Sequence, residues 1–307
     1  MPRDFLTITD VSEAELTKLL SLAARCKKDR RYGRDTLKGK TVALVFQKPS
    51  MRTRVAFEVA VLQLGGTVVY LGQDDIQLGK REPINDVARV LSRYVDAIVA
   101  RTFTHVDAEE FAAYADCPVI NGLSDAVHPC QALADLLTIQ EAFGRLKGLT
   151  VAYIGDGNNV LHSLLQGCAM MGTNMAVATP AAFRPDAKIW KAAAARAKRH
   201  GATIRWTATP AEAARGADIL YTDVWVSMGQ EKEREARLKV FQPYQINAKL
   251  LKLAKPGCRV LHCLPAHRGE EITDDVMEGR QSLVFNQAEN RLHAHKALLL
   301  FLFNKGT

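Results

Sequence analysis

The feature that most constrains this chain is the regular exchange of short apolar runs with helical patterns. Runs of strand length fall at residues 41–46, 68–71, 97–100 and 119–120, and helical patterns fall at 53–64, 85–94 and 131–143. A second series begins after Gly148, with apolar runs at 151–154, 175–178, 204–206, 219–221 and 260–261 and helical stretches at 187–200 and 248–254. Such βαβα alternation buries each strand between helices on both faces of a parallel sheet. The expected fold is α/β, two doubly wound parallel-sheet domains joined by helices, with domains at 1–144 and 145–289. Ser12 and Glu15 have capping-box spacing ahead of a first helix ending near Cys26. At the other end, residues 290–304 read as an amphipathic helix, within a segment of about 290–307 that packs back on the first domain.

Composition narrows the class. A chain of 307 residues, 48% of them hydrophobic, can bury two cores without disulfide or metal staples. Its six cysteines are scattered and form no C-x-x-C pair, so a reducing, cytoplasmic setting is expected. The amino terminus, Met-Pro-Arg-Asp-Phe, breaks any apolar run at once, and no stretch approaches the roughly 18 apolar residues of a membrane span. A soluble chain with no membrane partner follows. The net charge of +8 is spread among acids rather than massed in blocks, which fits an ordinary basic surface or an anionic small substrate, the latter ahead of nucleic acid because no binding motif accompanies the charge.

Ligands of open α/β sheets gather at the carboxyl ends of strands, so the residues after each apolar run carry the information. After the first run comes Gln47-Lys48-Pro49-Ser50-Met51-Arg52-Thr53-Arg54, leading into a helix. Free backbone N–H groups, two hydroxyls and two guanidiniums there form a place for a phosphate. The competing reading has Ser50 only cap the helix while both arginines face solvent. Arg101 closes another run, and His128-Pro129-Cys130-Gln131 starts the long helix, so both fall on the same sheet edge. Taken singly they would be a surface arginine and a turn histidine.

In the second half, Gly155-Asp156-Gly157-Asn158-Asn159-Val160 follows a run and invites a dinucleotide reading. Val160 stands where the third glycine belongs, and the next run ends in Thr179-Pro180 instead of an acid, which argues against a nicotinamide cofactor. The remaining run ends carry Asp223 with Ser227-Met228-Gly229, then His262-Cys263-Leu264-Pro265-Ala266-His267-Arg268-Gly269-Glu270-Glu271. A carboxylate with hydroxyl and amide neighbours suits the ammonium and carboxylate of an amino acid. His262 with Cys263 makes at most half a metal site, because no complementary ligand pair is visible.

Ser50-Met51-Arg52-Thr53-Arg54, His128-Pro129-Cys130-Gln131, Asp223 with Ser227-Met228-Gly229, and His262-Cys263-Leu264-Pro265 occur in the order found in the ornithine type of the aspartate/ornithine carbamoyltransferase family, and the chain resembles it over nearly its whole length. The first two motifs are shared with the aspartate type and concern only carbamoyl phosphate. The acceptor is chosen by the second half. One departure stands out: Met51 replaces the family's common Thr, and only its backbone N–H is needed there.

The resemblance implies transfer of the carbamoyl group of carbamoyl phosphate to L-ornithine in arginine biosynthesis, with no cofactor and no metal. It implies that Ser50, Met51, Arg52, Thr53, Gln77, Arg101, His128, Pro129, Cys130, Gln131, Cys263, Leu264 and Arg291 bind carbamoyl phosphate. Asn159, Asp223, Ser227 and Met228 would hold ornithine, and Arg101, His128, Cys263 and Asp223 would carry the catalysis. In this family the loop of Gln77 reaches a neighbouring subunit's site, which implies a homotrimer or a multiple of trimers. The rivals are the same chemistry on aspartate, acetylornithine or putrescine, and a catalytically silent binding protein on the same fold.

Overall fold

A computed structural model of the chain describes residues 3–78, 81–227, 229 and 231–303. It divides into two compact units, Met1–Leu137 with Glu289–Thr307, and Thr138–Ala288.

The first unit holds four strands, β1 (Thr41–Phe46), β2 (Thr67–Leu71), β3 (Ala97–Arg101) and β4 (Val119–Leu123), all parallel and ordered β2-β1-β3-β4. Its helices are α1 (Glu13–Lys28), α2 (Met51–Gln63), α3 (Gln73–Ile76), α4 (Ile84–Leu91), α5 (His105–Tyr114) and α6 (Pro129–Phe143), the last running on into the second unit. The capping box is present: Ser12 Oγ accepts from the Glu15 N–H, and Glu15 accepts from the Ser12 N–H at 2.9 Å. From there α1 buries Leu16, Leu19, Leu20 and Ala23, the spacing of a single helical face. Strands β1 and β3 are the sheet's interior, and Val42–Phe46 and Ala97–Arg101 are buried throughout. The free edge of β4 is covered, because Phe5 N–H donates to the Val119 carbonyl and the Asn121 N–H donates to the Phe5 carbonyl, each at 2.9 Å.

The second unit holds β5 (Thr150–Ile154), β6 (Asn174–Ala178), β7 (Ile204–Thr207), β8 (Ile219–Thr222) and β9 (Arg259–His262), parallel in the order β7-β6-β5-β8-β9. Around them lie α7 (Asn159–Met170), α8 (Ala187–Arg199), α9 (Pro210–Ala214), α10 (Arg234–Phe241), α11 (Ala248–Leu251) and α12 (Asp274–Met277). Then α13 (Val284–Phe303) begins in this unit and continues into the first. The expected amphipathic character of this last helix is corrected: every residue from 293 to 300 is buried, His295 and Lys296 included, so it is a core helix rather than a surface one. Lys296 is tolerated there because its ammonium donates to the Arg30 carbonyl at 2.6 Å. Among the described residues, no helix is long and apolar enough to cross a membrane.

Both sheets reverse their order once. In the first unit the chain leaves β1 towards β2 and returns on its other side as β3; in the second it leaves β5 towards β6 and returns as β8. At such a reversal the loops diverge to opposite faces and leave a crevice at the strand ends.

Candidate active site

At the first reversal, β1 runs out into Gln47 and Lys48, and β3 ends at Arg101. The Gln47 N–H donates to the Arg101 carbonyl at 2.9 Å, which ties the two ends together. Ser50 is the N-cap of α2 and its hydroxyl accepts from the Thr53 N–H at 3.3 Å, so the capping reading holds. The arginine part holds for Arg54, exposed and paired with Glu58 at 2.8 Å, and fails for the half-buried Arg52. Arg52 acts on the buried Arg101, and Thr53 is fully buried with its hydroxyl accepting from the Arg291 guanidinium at 2.7 Å. Met51 has a 70% exposed side chain, leaving its backbone N–H in the first turn.

This corner is a concentration of positive charge. Arg101 is pushed down from the ordinary arginine value to about 9, first by burial and then by the guanidiniums of Arg291 and Arg52. Its Nε has no hydrogen-bond partner among the described residues. His128, just before α6, is held well below the ordinary histidine value by burial, Arg291, Arg101 and His295, and is therefore neutral. Lys48 is lowered too, by burial and then by Arg101; sequence reasoning had passed over it within its motif. Along α6, the Gln131 amide donates to Asp135 at 2.8 Å, while its Oε1 has no partner among the described residues. The Cys130 thiol donates to the Asn121 carbonyl, and burial pushes it up to about 12, so this side chain is protonated and already engaged. Gln77 is exposed at the end of α3 with φ of 43°.

At the second reversal the chemistry changes sign. Asp223 follows β8 and is buried, and its carboxylate accepts from the Asn158 amide at 2.6 Å, the Val224 N–H at 2.8 Å and the Cys263 thiol at 2.9 Å. Asn158 also caps α7 by accepting from the N–H groups of Val160 and Leu161, at 3.1 Å each, so one side chain fixes both a helix start and the aspartate. The expected residue, Asn159, is the half-buried first residue of α7. Ser227 is half-buried in the loop after β8; Met228 lies outside the described residues.

After β9, the Leu264 N–H donates to His262 Nδ1 at 2.9 Å, so Nε2 carries the proton and donates to Glu271, also at 2.9 Å. Both side chains are fully buried, and Glu271 accepts from the His267 N–H as well. The backbone bends sharply here, with Leu264 at φ 60° before a cis peptide to Pro265. Beside this bend the Cys263 thiol sits on Asp223. Ligand atoms of Asp223, His262 and Cys263 lie within 4.8 Å of one another, the third partner that sequence reasoning had not found for a metal. Each of those groups is engaged with protein neighbours as described.

A further anchor had no sequence signal. Arg237 of α10 donates to the Trp225 carbonyl at 2.6 Å and pairs with Asp156, and its guanidinium lies 4.7 Å from the Phe183 ring centre. Burial nevertheless pushes Asp156 up to about 6. The pair fixes one end of the loop that carries Ser227.

Comparison with known proteins bears on both halves. Residues 3–141 match the family model described as the aspartate/ornithine carbamoyltransferase carbamoyl-P binding domain, and residues 147–302 match its Asp/Orn binding domain. The chain is 56% identical to the ornithine carbamoyltransferase of Gloeobacter violaceus over 299 residues, 97% of this chain and 95% of that one. It is 52% identical to the protein of Pyrococcus furiosus named ornithine carbamoyltransferase, anabolic, over 97% of this chain and 95% of the other. A solved structure of ornithine carbamoyltransferase from Pyrococcus furiosus superposes with a TM-score of 0.96 at 51% identity, covering 100% of this chain and 98% of that one.

Proposed function

The chain belongs to the aspartate/ornithine carbamoyltransferase family, and from that premise we propose that it joins the carbamoyl group of carbamoyl phosphate to the side-chain amine of L-ornithine, giving L-citrulline and phosphate on the way to arginine. The observation that carries the reading is the gathering of Arg52, Arg101 and Arg291 about the first turn of α2, where a buried guanidinium is acted on by like charges. A phosphate dianion relieves that repulsion and accepts charge-assisted hydrogen bonds from the same groups.

In this reading the phosphate lies on Ser50, the Met51 N–H, Arg52 and Thr53, and Gln77 reaches it from a neighbouring subunit. The carbonyl oxygen faces Arg101, His128 and Thr53. Arg291 reaches the carbamoyl group, and the amide end meets Gln131 beside the backbone of Pro129 and Cys130. The second unit supplies Asn159, Asp223, Ser227 and Met228 for the ornithine ammonium and carboxylate, with Cys263 and Leu264 towards its reacting end.

The acceptor must be neutral to attack. An ornithine side-chain ammonium titrates near the lysine value, so at pH 7 about one molecule in 2500 is neutral, equivalent to about 4–5 kcal/mol. Positive charge beside the amine lowers its pKa and recovers part of that. As the N–C bond forms, charge gathers on the carbonyl oxygen. Arg101, with a pKa of about 9, still carries its charge at neutral pH, and neutral His128 donates an N–H without adding charge. One such preorganised donor is worth about 3–4 kcal/mol. The C–O bond to phosphate then breaks, the electron pair leaves on the phosphate oxygen, and the nitrogen loses its proton. Asp223, held by three donors, orients the acceptor.

The working form is a homotrimer or a multiple of trimers, in the cytoplasm, with no nucleic acid partner. The test is citrulline formation by the purified protein with carbamoyl phosphate and ornithine, beside aspartate, acetylornithine and putrescine. Turnover with ornithine alone is expected; turnover with another acceptor overturns the specificity, and none with any overturns the activity.

A further inference from the structure

One buried polar side chain is used by neither half of the reaction. His295 lies on α13, fully buried, and neither ring nitrogen has a hydrogen-bond partner among the described residues. A neutral imidazole carries one N–H donor and one acceptor lone pair, so an orphaned pair in the core is an unfavourable arrangement unless the ring itself is needed. What the ring touches is Phe57: the centroids are 3.8 Å apart and the planes differ by 11°, a face-to-face stack.

The position of that stack matters more than its strength. Phe57 follows Thr53 by one helical turn on α2, and His295 follows Arg291 by one turn on α13. The two helices therefore meet on two successive rungs. One rung is the 2.7 Å hydrogen bond from Arg291 to Thr53, and the next is the stack. The polar rung stands at the anion corner, where Arg291 presses on both Arg101 and His128. Two guanidiniums of like charge repel, so nothing in their mutual electrostatics keeps Arg291 in place before an anion arrives. A flat ring seated on Phe57 does, since sliding α13 along α2 breaks the stack and the hydrogen bond together.

We propose that the Phe57–His295 stack holds Arg291 against Thr53 and so makes His295 a positioning residue for carbamoyl phosphate. The inference rests on the reading of the first-unit corner as the carbamoyl phosphate site. The fully buried aromatic partner adds the second fixed surface: Phe57 is held in the core by α2, whose first turn is the anion site itself. Replacing the ring by an aliphatic side chain of similar size keeps the volume and loses the flat seat.

The test compares His295→Leu and His295→Phe with the parent, reading steady-state constants and the Kd for inorganic phosphate by calorimetry. His295→Leu is expected to raise the KM for carbamoyl phosphate and the Kd for phosphate at least fivefold. The KM for ornithine and kcat at saturation should stay within twofold. His295→Phe, which keeps a flat ring, should return both anion constants to within twofold of the parent. A role confined to stability would lower Tm and leave these constants alone. If His295→Leu does not fold, Phe57→Leu is measured in the same way and should show the same selective loss. Unchanged anion constants in a folded Leu variant, or a Phe variant that loses as much as the Leu one, overturns the proposal. Failure of the parent to make citrulline would instead remove the functional reading, while the phosphate titration still decides about the stack.

Discussion

The first unit's reversal gathers Arg52, Arg101, Arg291, Lys48 and a neutral His128, and the charges acting on Arg101 are all of its own sign. The second unit's reversal gathers two aspartates, and each has partners within the protein: Arg237 for Asp156, and Asn158, Val224 and Cys263 for Asp223. The same topological device is thus left electrically unfinished in one unit and closed in the other. An anion with two charges can complete the first. A zwitterion, which brings its own balance of charge, needs the second to be orderly rather than strongly charged.

Several experiments break or sharpen that contrast. The largest expected effect is on stability: Arg237→Gln leaves Asp156 buried without its cation, and loss of one partner of a buried pair amounts to about 3–5 kcal/mol, read by urea unfolding. The KM for ornithine should rise with it, since the Trp225 carbonyl loses its anchor. Next is Arg101→Met, expected to reduce kcat/KM by about 10²–10³ through loss of one oxyanion donor, about 3–4 kcal/mol. If the first unit is as unfinished as described, this variant should unfold at a higher temperature than the parent in phosphate-free buffer. A lower Tm would mean that Arg101 is compensated after all.

Asp223→Asn comes third. An amide placed against three donors leaves about one of them unmatched, a penalty of about 1–3 kcal/mol. It should appear as a higher KM for ornithine with the KM for carbamoyl phosphate unchanged, and equal changes in both would dissolve the division of labour between the units.

The last experiments separate the units by pH. His128 and His295 have folded pKa values held well below 6.5, so unfolded chains take up protons that the fold refuses. Stability therefore falls as pH drops below about 6.5, by at most about 1.4 kcal/mol per pH unit for each group, and is level above it. Asp156 acts in the opposite sense. Its folded value of about 6 lies above the usual 3.8, so its contribution is full below 3.8 and is lost as pH rises to about 6. Urea titrations of His295→Phe and Asp156→Asn between pH 4 and 7.5 should thus shift the parent's pH profile in opposite directions.

The strands were legible because each is a short apolar run, and β1 occupies the very residues 41–46 that the pattern marks. Ends were less so: β4 runs on through Asn121-Gly122-Leu123, where polar and small residues hide a strand that only neighbouring β3 explains. The anion corner could be read from Ser50–Thr53 because a helix start is a local device. Arg237 could not, since its partner Asp156 lies 81 residues away and no local pattern announces an ion pair. Within Asn158-Asn159 the sequence carries two candidates, and which of them contacts Asp223 depends on which one caps α7. The terminal helix looked amphipathic because His293, His295 and Lys296 read as polar; their burial depends on the groups around them.

The cap on α2 has a consequence for turnover. Ser50 accepts from the Thr53 N–H, so a phosphate bound as proposed would exchange one acceptor for another instead of rescuing a stranded amide. The N-cap hydrogen bond is worth about 1 kcal/mol, and that amount is subtracted from whatever the new contact supplies. On the proposed reading, affinity would be tempered in the same stroke as departure is eased: as a product phosphate left, the serine would close the helix behind it, with no exposed helix end awaiting the next substrate.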